Sequence, residues 1–78
     1  MRNVYVLGPG CAKCKKLAGN VREALKKVEG EFDYDYITDI QKITEYGIMM
    51  TPGLVIDGKV KSSGKVLSVE DIVEMLKS

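Results

Sequence analysis

The spacing of apolar residues along the chain alternates between two patterns, one typical of strands and the other of helices. Short runs that are wholly apolar, or that alternate with polar residues, predict strands over residues 3–7, 32–37, 54–56 and 59–63. Between these runs, apolar residues recur at intervals of three and four, as they do on one face of a helix. The patterns therefore predict three helices and four strands in the order βαβαββα.

The expected helix boundaries carry residues that favour helix starts and ends. The first helix is expected to begin at Cys11, to run for about 18 residues and to end near Gly30. The apolar side of the second helix is expected to consist of Ile40, Ile43 and Tyr46, with Gly47 ending the helix. Side chains able to cap the two later helices precede their first turns: Thr38 or Asp39, and Ser68.

The last two strands are expected to form a hairpin. Asp57 and Gly58 lie between them, and Asp-Gly is a strong signal for a two-residue turn that joins antiparallel strands. Lys59 and Lys61 follow the turn, and lysines at alternate positions are typical of an exposed sheet edge.

Length and composition restrict what kind of protein this is. A chain of 78 residues is long enough for one small domain, and we expect a single domain over residues 1–78. Hydrophobic residues make up 45% of the chain and charged residues 29%, which indicates a globular protein. The net charge of +1 provides no general attraction for nucleic acid. No apolar run approaches the ~20 residues that span a membrane, so we expect no membrane partner. We also expect a monomer that is cytoplasmic and does not bind nucleic acid.

The chain contains no histidine, which excludes Ser-His and Cys-His nucleophile pairs and every metal site that needs an imidazole ligand. It contains two cysteines, Cys11 and Cys14. In the reducing cytoplasm such a pair is more often catalytic or metal-binding than structural. Chemistry at this pair is therefore the main candidate for function.

The Cys11-x-x-Cys14 pair lies where the first strand leads into the first helix. At a helix start, unpaired backbone N–H groups and the helix dipole favour a thiolate, and the nearby charge of Lys13 adds to this effect. Cys11 is expected to be exposed and nucleophilic, whereas Cys14 lies on the core-facing side of the helix. Such an inequivalent pair suits a cycle in which Cys11 attacks a disulfide and Cys14 resolves the mixed disulfide.

Two other uses of the pair are open at this point. A bridge between Cys11 and Cys14 could be purely structural, although it would close only a very short loop. The two thiolates could also bind a soft ion such as Cu(I) in a two-coordinate site, and the same pair would form half of a zinc site.

Thr51 and Pro52 form a second candidate constellation, directly before an apolar strand. An X-Pro bond in a tight turn can be cis. Such a turn directs the backbone groups of the preceding residue outward, where they can pair with an extended peptide. We therefore expect Thr51 and Pro52 to position a bound partner.

Together these elements resemble the thioredoxin superfamily, and the resemblance extends over essentially the whole chain. The sequence is especially similar to the small thioredoxin-like proteins called redox-active disulfide protein 2, through Gly8-Pro9-Gly10 before the cysteine pair and Thr51-Pro52-Gly53. The resemblance implies a thioredoxin-like α/β fold with a four-stranded mixed sheet and three helices. It also implies that Thr51 and a cis Pro52 lie beside the two sulfurs.

The same resemblance implies a thiol–disulfide oxidoreductase whose only redox group is the Cys11–Cys14 disulfide, with no metal or other cofactor. Gly10 and Lys13 would support the loop and the thiolate. The partners would be a protein dithiol or disulfide and a reductase that the sequence does not identify. The buried acid of thioredoxin would fall near Tyr5, a residue that cannot fill this role. The alternative is a soft-metal chaperone, because heavy-metal-associated domains also place Cys-x-x-Cys before an amphipathic helix.

Overall fold

The computed structural model describes residues 2–77 and contains four strands and three helices. The elements, in chain order, are β1 (Arg2–Leu7), α1 (Ala12–Lys27), β2 (Phe32–Ile37), α2 (Ile40–Glu45), β3 (Gly53–Ile56), β4 (Lys59–Ser63) and α3 (Val69–Lys77).

The strands form one mixed sheet in the order β2-β1-β3-β4. Helix α1 carries the chain from β1 back to the parallel strand β2, while β3 and β4 are antiparallel to their neighbours. Val6 is aligned with Tyr36 on one side of β1, and Leu7 with Gly53 on the other. The predicted α/β architecture and order of elements are confirmed.

Helices cover both faces of the sheet, and the inner strands β1 and β3 are therefore buried between them. The larger core lies between the sheet and helices α1 and α3, and its buried sheet residues are Val4, Val6, Leu54 and Ile56. The smaller core lies on the other face, where Ile43 of α2 packs with Leu7 and Val55. The continuous apolar runs of β1 and β3 reflect this two-sided burial.

Two details of the helices differ from the expectation. Helix α1 starts one residue after Cys11, which is its N-cap, and ends at Lys27 rather than near Gly30. Ile40 is the first residue of α2 and is 59% exposed, so it does not join the apolar side of that helix. The buried residue of this six-residue helix is Ile43, which packs with Leu7 and Val55.

The β3–β4 hairpin is fixed to the start of β1 by hydrogen bonds. Asp57 adopts the left-handed conformation with φ 53°, which the two-residue turn requires. Its Oδ2 accepts a hydrogen bond from Nε of Arg2 at 2.9 Å, and its Oδ1 accepts one from the N–H of Asn3 at 3.2 Å. Nη1 of Arg2 also donates to the carbonyl of Leu76, which ties the end of α3 to the same corner.

Candidate functional site

The chain turns from β1 into α1 at one end of the sheet; Cys11 ends this turn as the N-cap of α1, and Cys14 lies in the first turn of the helix. Residues 8–10 lead from the end of β1 to Cys11. Gly10 has φ +101°, a conformation that side chains other than glycine rarely adopt. The glycine therefore permits the sharp turn that brings Cys11 to the N-cap of α1.

Cys11 is exposed, and its sulfur takes the place of a capping oxygen. The backbone N–H of Cys14 donates to Sγ of Cys11 at 3.4 Å, and the carbonyl of Cys11 accepts the first helical bond from Lys15 at 3.0 Å. A hydrogen bond from the Cys14 thiol, followed by those from the backbone N–H groups of Cys14 and Lys13, lowers the pKa of Cys11. These donors favour the thiolate form of Cys11.

Cys14 is fully buried, in contrast to Cys11. Its side chain packs against Gly8, where an added Cβ atom would overlap the Cys14 sulfur. Burial and the hydrogen bond that its thiol donates to Cys11 raise the pKa of Cys14, against the opposing hydrogen bonds from the backbone of Cys11 and Gly10. Both cysteines are free thiols, and they differ in exposure and in the direction in which their pKa is shifted.

Thr51 and Pro52 precede β3 at the same end of the sheet, because the start of β3 is paired with the end of β1. The Thr51–Pro52 peptide bond is cis, and Pro52 is buried. Because Leu7 pairs with Gly53 in the antiparallel ladder, Pro52 is adjacent to Gly8, the residue that contacts Cys14. The carbonyl of Pro52 accepts a hydrogen bond from Gly64 at 2.8 Å, which fixes the loop to the end of β4.

Comparisons with known proteins agree with this arrangement. The family model described as a thioredoxin domain matches residues 2–77. The chain is 37% identical to a thioredoxin of Methanothermobacter thermautotrophicus over 76 residues, which covers 97% of this chain and 99% of that protein. It is 35% identical to a thioredoxin of Methanocaldococcus jannaschii over 75 residues, covering 96% of this chain and 86% of that protein.

The chain belongs to the thioredoxin family.

A third side chain, Tyr36, is influenced electrostatically by both cysteines, and the sequence pattern did not single it out. Tyr36 lies near the end of β2, and its hydroxyl oxygen is buried without a hydrogen-bond partner among the described residues. Burial of the hydroxyl, followed by the charges of the Cys14 and Cys11 thiolates, raises the pKa of Tyr36. The phenol is therefore within electrostatic reach of both sulfurs.

Tyr5, the position near which the resemblance puts the buried acid of thioredoxin, lies on the face of the sheet that α2 covers. Side chains alternate along a strand, so Tyr5 points away from its neighbours Val4 and Val6, which pack against α1. It lies instead in the smaller core beside Tyr46, on the face covered by α2. Tyr5 and the cysteine pair are thus on opposite sides of the sheet.

The other chemistry-bearing side chains of the thioredoxin-family domain do not converge on a metal site. Within residues 2–77, no group of three or more Asp, Glu, Cys or His side chains is arranged to hold an ion. At this end of the sheet, the sulfurs of Cys11 and Cys14 are two side-chain groups able to bind a metal ion. Across the same residues, none of the helices is both long enough and apolar enough to cross a membrane.

Proposed function

We propose that the protein is a thiol–disulfide oxidoreductase that cycles between a Cys11/Cys14 dithiol and a Cys11–Cys14 disulfide. The observation that supports this most is the contrast between the two sulfurs. Cys11 is exposed and has a lowered pKa, whereas Cys14, three residues later, is completely buried and has a raised pKa. A pair that differs in this way has a defined order of reaction.

In the first step, the Cys11 thiolate attacks one sulfur of a target disulfide. A bond forms between Sγ of Cys11 and that sulfur, the target S–S bond breaks, and the second target sulfur leaves as a thiolate that takes a proton from solvent. The exposed position of Cys11 at the helix N-cap allows a protein disulfide to approach. The product is a mixed disulfide, while Cys14 remains protonated in the core.

In the second step, Cys14 loses its proton and attacks Sγ of Cys11. The Cys11–Cys14 bond forms, the mixed disulfide breaks, and the target sulfur leaves as a thiolate that is then protonated. Over both steps the target gains two electrons and two protons, and the cysteine pair loses them. A reductase of unidentified type would return the pair to the dithiol.

Thr51 and Pro52 are proposed to hold the partner while this exchange takes place. They directly precede β3, whose first residue Gly53 is paired with Leu7, the residue before Gly8. An extended peptide could pair with the backbone of Thr51, as a strand adds to a sheet. We propose a protein substrate and a cytoplasmic location, because thiols are kept reduced there.

The test is to trap the mixed disulfide with Cys14→Ser, which retains Cys11 but removes the resolving sulfur. The reduced variant is added to cell extract and to a purified protein disulfide such as insulin, and adducts are identified by mass spectrometry. We expect adducts through Cys11 that reductant releases. The matched control is Cys11→Ser, which should form far fewer adducts because Cys14 is buried.

Two results would contradict the proposed function. One is the absence of adducts with Cys14→Ser together with alkylation of Cys11 no faster than that of an ordinary thiol at neutral pH. The other is tight 1:1 binding of Cu(I) by the wild-type dithiol with no disulfide exchange, which would support the soft-metal alternative. Either result would assign the cysteine pair to another use.

A further inference from the structure

The hydroxyl group of Tyr36 is an uncompensated polar group in the interior. Its oxygen is buried and has no hydrogen-bond partner among the described residues, although buried tyrosine hydroxyls usually find one. A phenylalanine in its place would avoid this cost, since an unsatisfied buried donor lowers stability. Groups of this kind deserve a functional explanation when they lie beside reactive side chains.

The fold directs Tyr36 towards the cysteines. Tyr36 is aligned with Val6 in the parallel β1–β2 ladder, and both side chains pack in the larger core beneath α1. One residue further along, the carbonyl of Ile37 accepts a hydrogen bond at 2.9 Å from the N–H of Gly8. Gly8 in turn contacts the Cys14 side chain. The register of β2 against β1 thus places Tyr36 at the end of the sheet where Cys14 is buried.

We propose that Tyr36 is a positioning residue for the second step, whose hydroxyl donates a hydrogen bond to the Cys14 thiolate as that thiolate forms and attacks the mixed disulfide. This proposal rests on the proposed function and specifies how its resolving sulfur becomes reactive. Cys14 is fully buried, so its thiolate needs a donor within the protein. The hydroxyl of Tyr36 is a buried donor that no other described group engages, on a strand whose register brings it to the end of the sheet where Gly8 contacts Cys14.

The phenol acts as a hydrogen-bond donor and not as a base. Burial and the neighbouring thiolate charges raise the pKa of Tyr36 above its ordinary value of 10.0, so the hydroxyl keeps its proton at neutral pH. The proton of Cys14 therefore leaves to solvent or to the departing thiolate, and Tyr36 only stabilises the negative charge left on the sulfur. The titratable groups that act on the phenol are the two thiols themselves.

The experiment compares Tyr36→Phe with Tyr34→Phe. Tyr34 lies two residues earlier on the same face of β2 and also packs against the larger core, so the control removes a tyrosine hydroxyl from the same strand face. The two thiolate charges are not among the causes that raise the pKa of Tyr34.

Each reduced variant is mixed with the aromatic disulfide 5,5′-dithiobis(2-nitrobenzoic acid) in a stopped-flow instrument. The first thionitrobenzoate released reports attack by Cys11, and the second reports resolution by Cys14.

We expect Tyr36→Phe to leave the first phase unchanged and to slow the second about tenfold at neutral pH, because hydrogen bonds to charged groups are strong. The pH at which the second phase reaches half its maximal rate should rise by about one unit, since one pKa unit corresponds to a tenfold change. Tyr34→Phe should match the wild type in both phases. The free energy of unfolding in urea should be unchanged or higher in Tyr36→Phe.

Three results would overturn the proposal. A second phase that is as fast in Tyr36→Phe as in the wild type at every pH would exclude a role for the hydroxyl, while a successful Cys14→Ser trap would leave the proposed function intact. Equal slowing by Tyr34→Phe, or slowing with a loss of stability, would show a merely structural effect. Absence of both phases in the wild type would refute the proposed function and this inference together.

Discussion

A Cβ atom placed on Gly8 would overlap the side chain of Cys14, with its position only 2.8 Å from the Cys14 Cβ. The last residue before the turn and the first buried residue of α1 are therefore in contact without space for even a methyl group. This close approach fixes the depth at which Cys14 lies. It also fixes the separation between β1 and the start of the helix that carries Cys11.

We expect Gly8→Ala to destabilise the protein by roughly 1–3 kcal/mol, because overpacking of a filled core forces neighbouring atoms to shift. Since the displaced atoms belong to Cys14, the rate at which Cys14 resolves a mixed disulfide should change as well. The measurements are urea denaturation and the second phase of the stopped-flow reaction described above.

The matched control is Gly19→Ala, in the exposed part of the same helix. An added Cβ there would meet no atom within 4 Å. Alanine in a helix interior is preferred to glycine by about 1 kcal/mol, so this variant should be more stable with unchanged thiol chemistry. Equal effects of the two substitutions on stability would contradict the tight contact between Gly8 and Cys14.

The lowered pKa of Cys11 should depend on which residue replaces Cys14. The hydrogen bond from the Cys14 thiol is the first cause of that shift, and the backbone N–H of Cys14 is the second. Cys14→Ala removes the first donor and keeps the second, so the pKa of Cys11 should rise towards, but not reach, its ordinary value. Cys14→Ser supplies a hydroxyl donor and should keep the pKa low.

The measurement for these variants is the pH dependence of Cys11 alkylation by iodoacetamide, which follows the thiolate fraction. The variants share the same backbone, so the difference between them isolates the side-chain donor. Identical titration of Cys11 in both variants would show that the backbone N–H groups account for the whole shift.

The periodicity of the chain was sufficient to predict the architecture. Burial on one or two sides leaves a distinct sequence pattern in each element. Continuous apolar runs predicted β1 and β3, alternation predicted β2, and spacings of three and four predicted α1. The exposed position of Ile40 was not predicted, because its spacing from Ile43 places both residues on one side of α2 without showing how far the core extends along the helix.

The candidate site was predictable only in part. The spacing of Cys11 and Cys14 at a strand-to-helix boundary indicated an exposed and a buried sulfur without any knowledge of the sheet. Tyr36 could not be found in this way, because its proximity to Cys14 depends on the alignment of Val6 with Tyr36 across two strands. The one available signal was the alternation of β2, which places Tyr34 and Tyr36 on a single face.

Lys13 is expected to act on charged partners more than on the protonation of Cys11. The residue is exposed, and it contributes to the lowered pKa of Cys11 through its backbone N–H, which Lys13→Gln retains. This variant should react about two to five times more slowly with the anionic 5,5′-dithiobis(2-nitrobenzoic acid) at low ionic strength, where charges are least screened. Its rate with the uncharged 4,4′-dithiodipyridine should be unchanged.

The control for Lys13→Gln is Lys27→Gln, at the opposite end of α1. Position 27 is roughly 24 Å from Cys11 along the helix, well beyond the screening length of about 10 Å at 0.1 M salt. Equal slowing by both variants would indicate a general effect of net charge. Slowing of Lys13→Gln with both disulfides would indicate that its side chain does affect the Cys11 thiolate.

Asp57 is expected to make stability depend on pH on the acid side. The hydrogen bond from Arg2 is the main cause that lowers the pKa of Asp57 below its ordinary value of 3.8. A carboxyl group whose pKa is lower in the folded state stabilises the fold above pH 3.8, and this contribution is lost as the pH falls through the lowered pKa.

Asp57→Asn removes the charge but keeps a side-chain oxygen for Asn3 and a residue that tolerates the left-handed turn. The wild type should therefore exceed Asp57→Asn in its urea midpoint at pH 7, and the difference should shrink towards zero as the pH is lowered to 2. Added salt at pH 7 should reduce the same difference, because the pair is partly exposed. A difference that persists unchanged at pH 2 would show that the amide disturbs the turn itself, and that the ion pair with Arg2 does not account for the stabilisation.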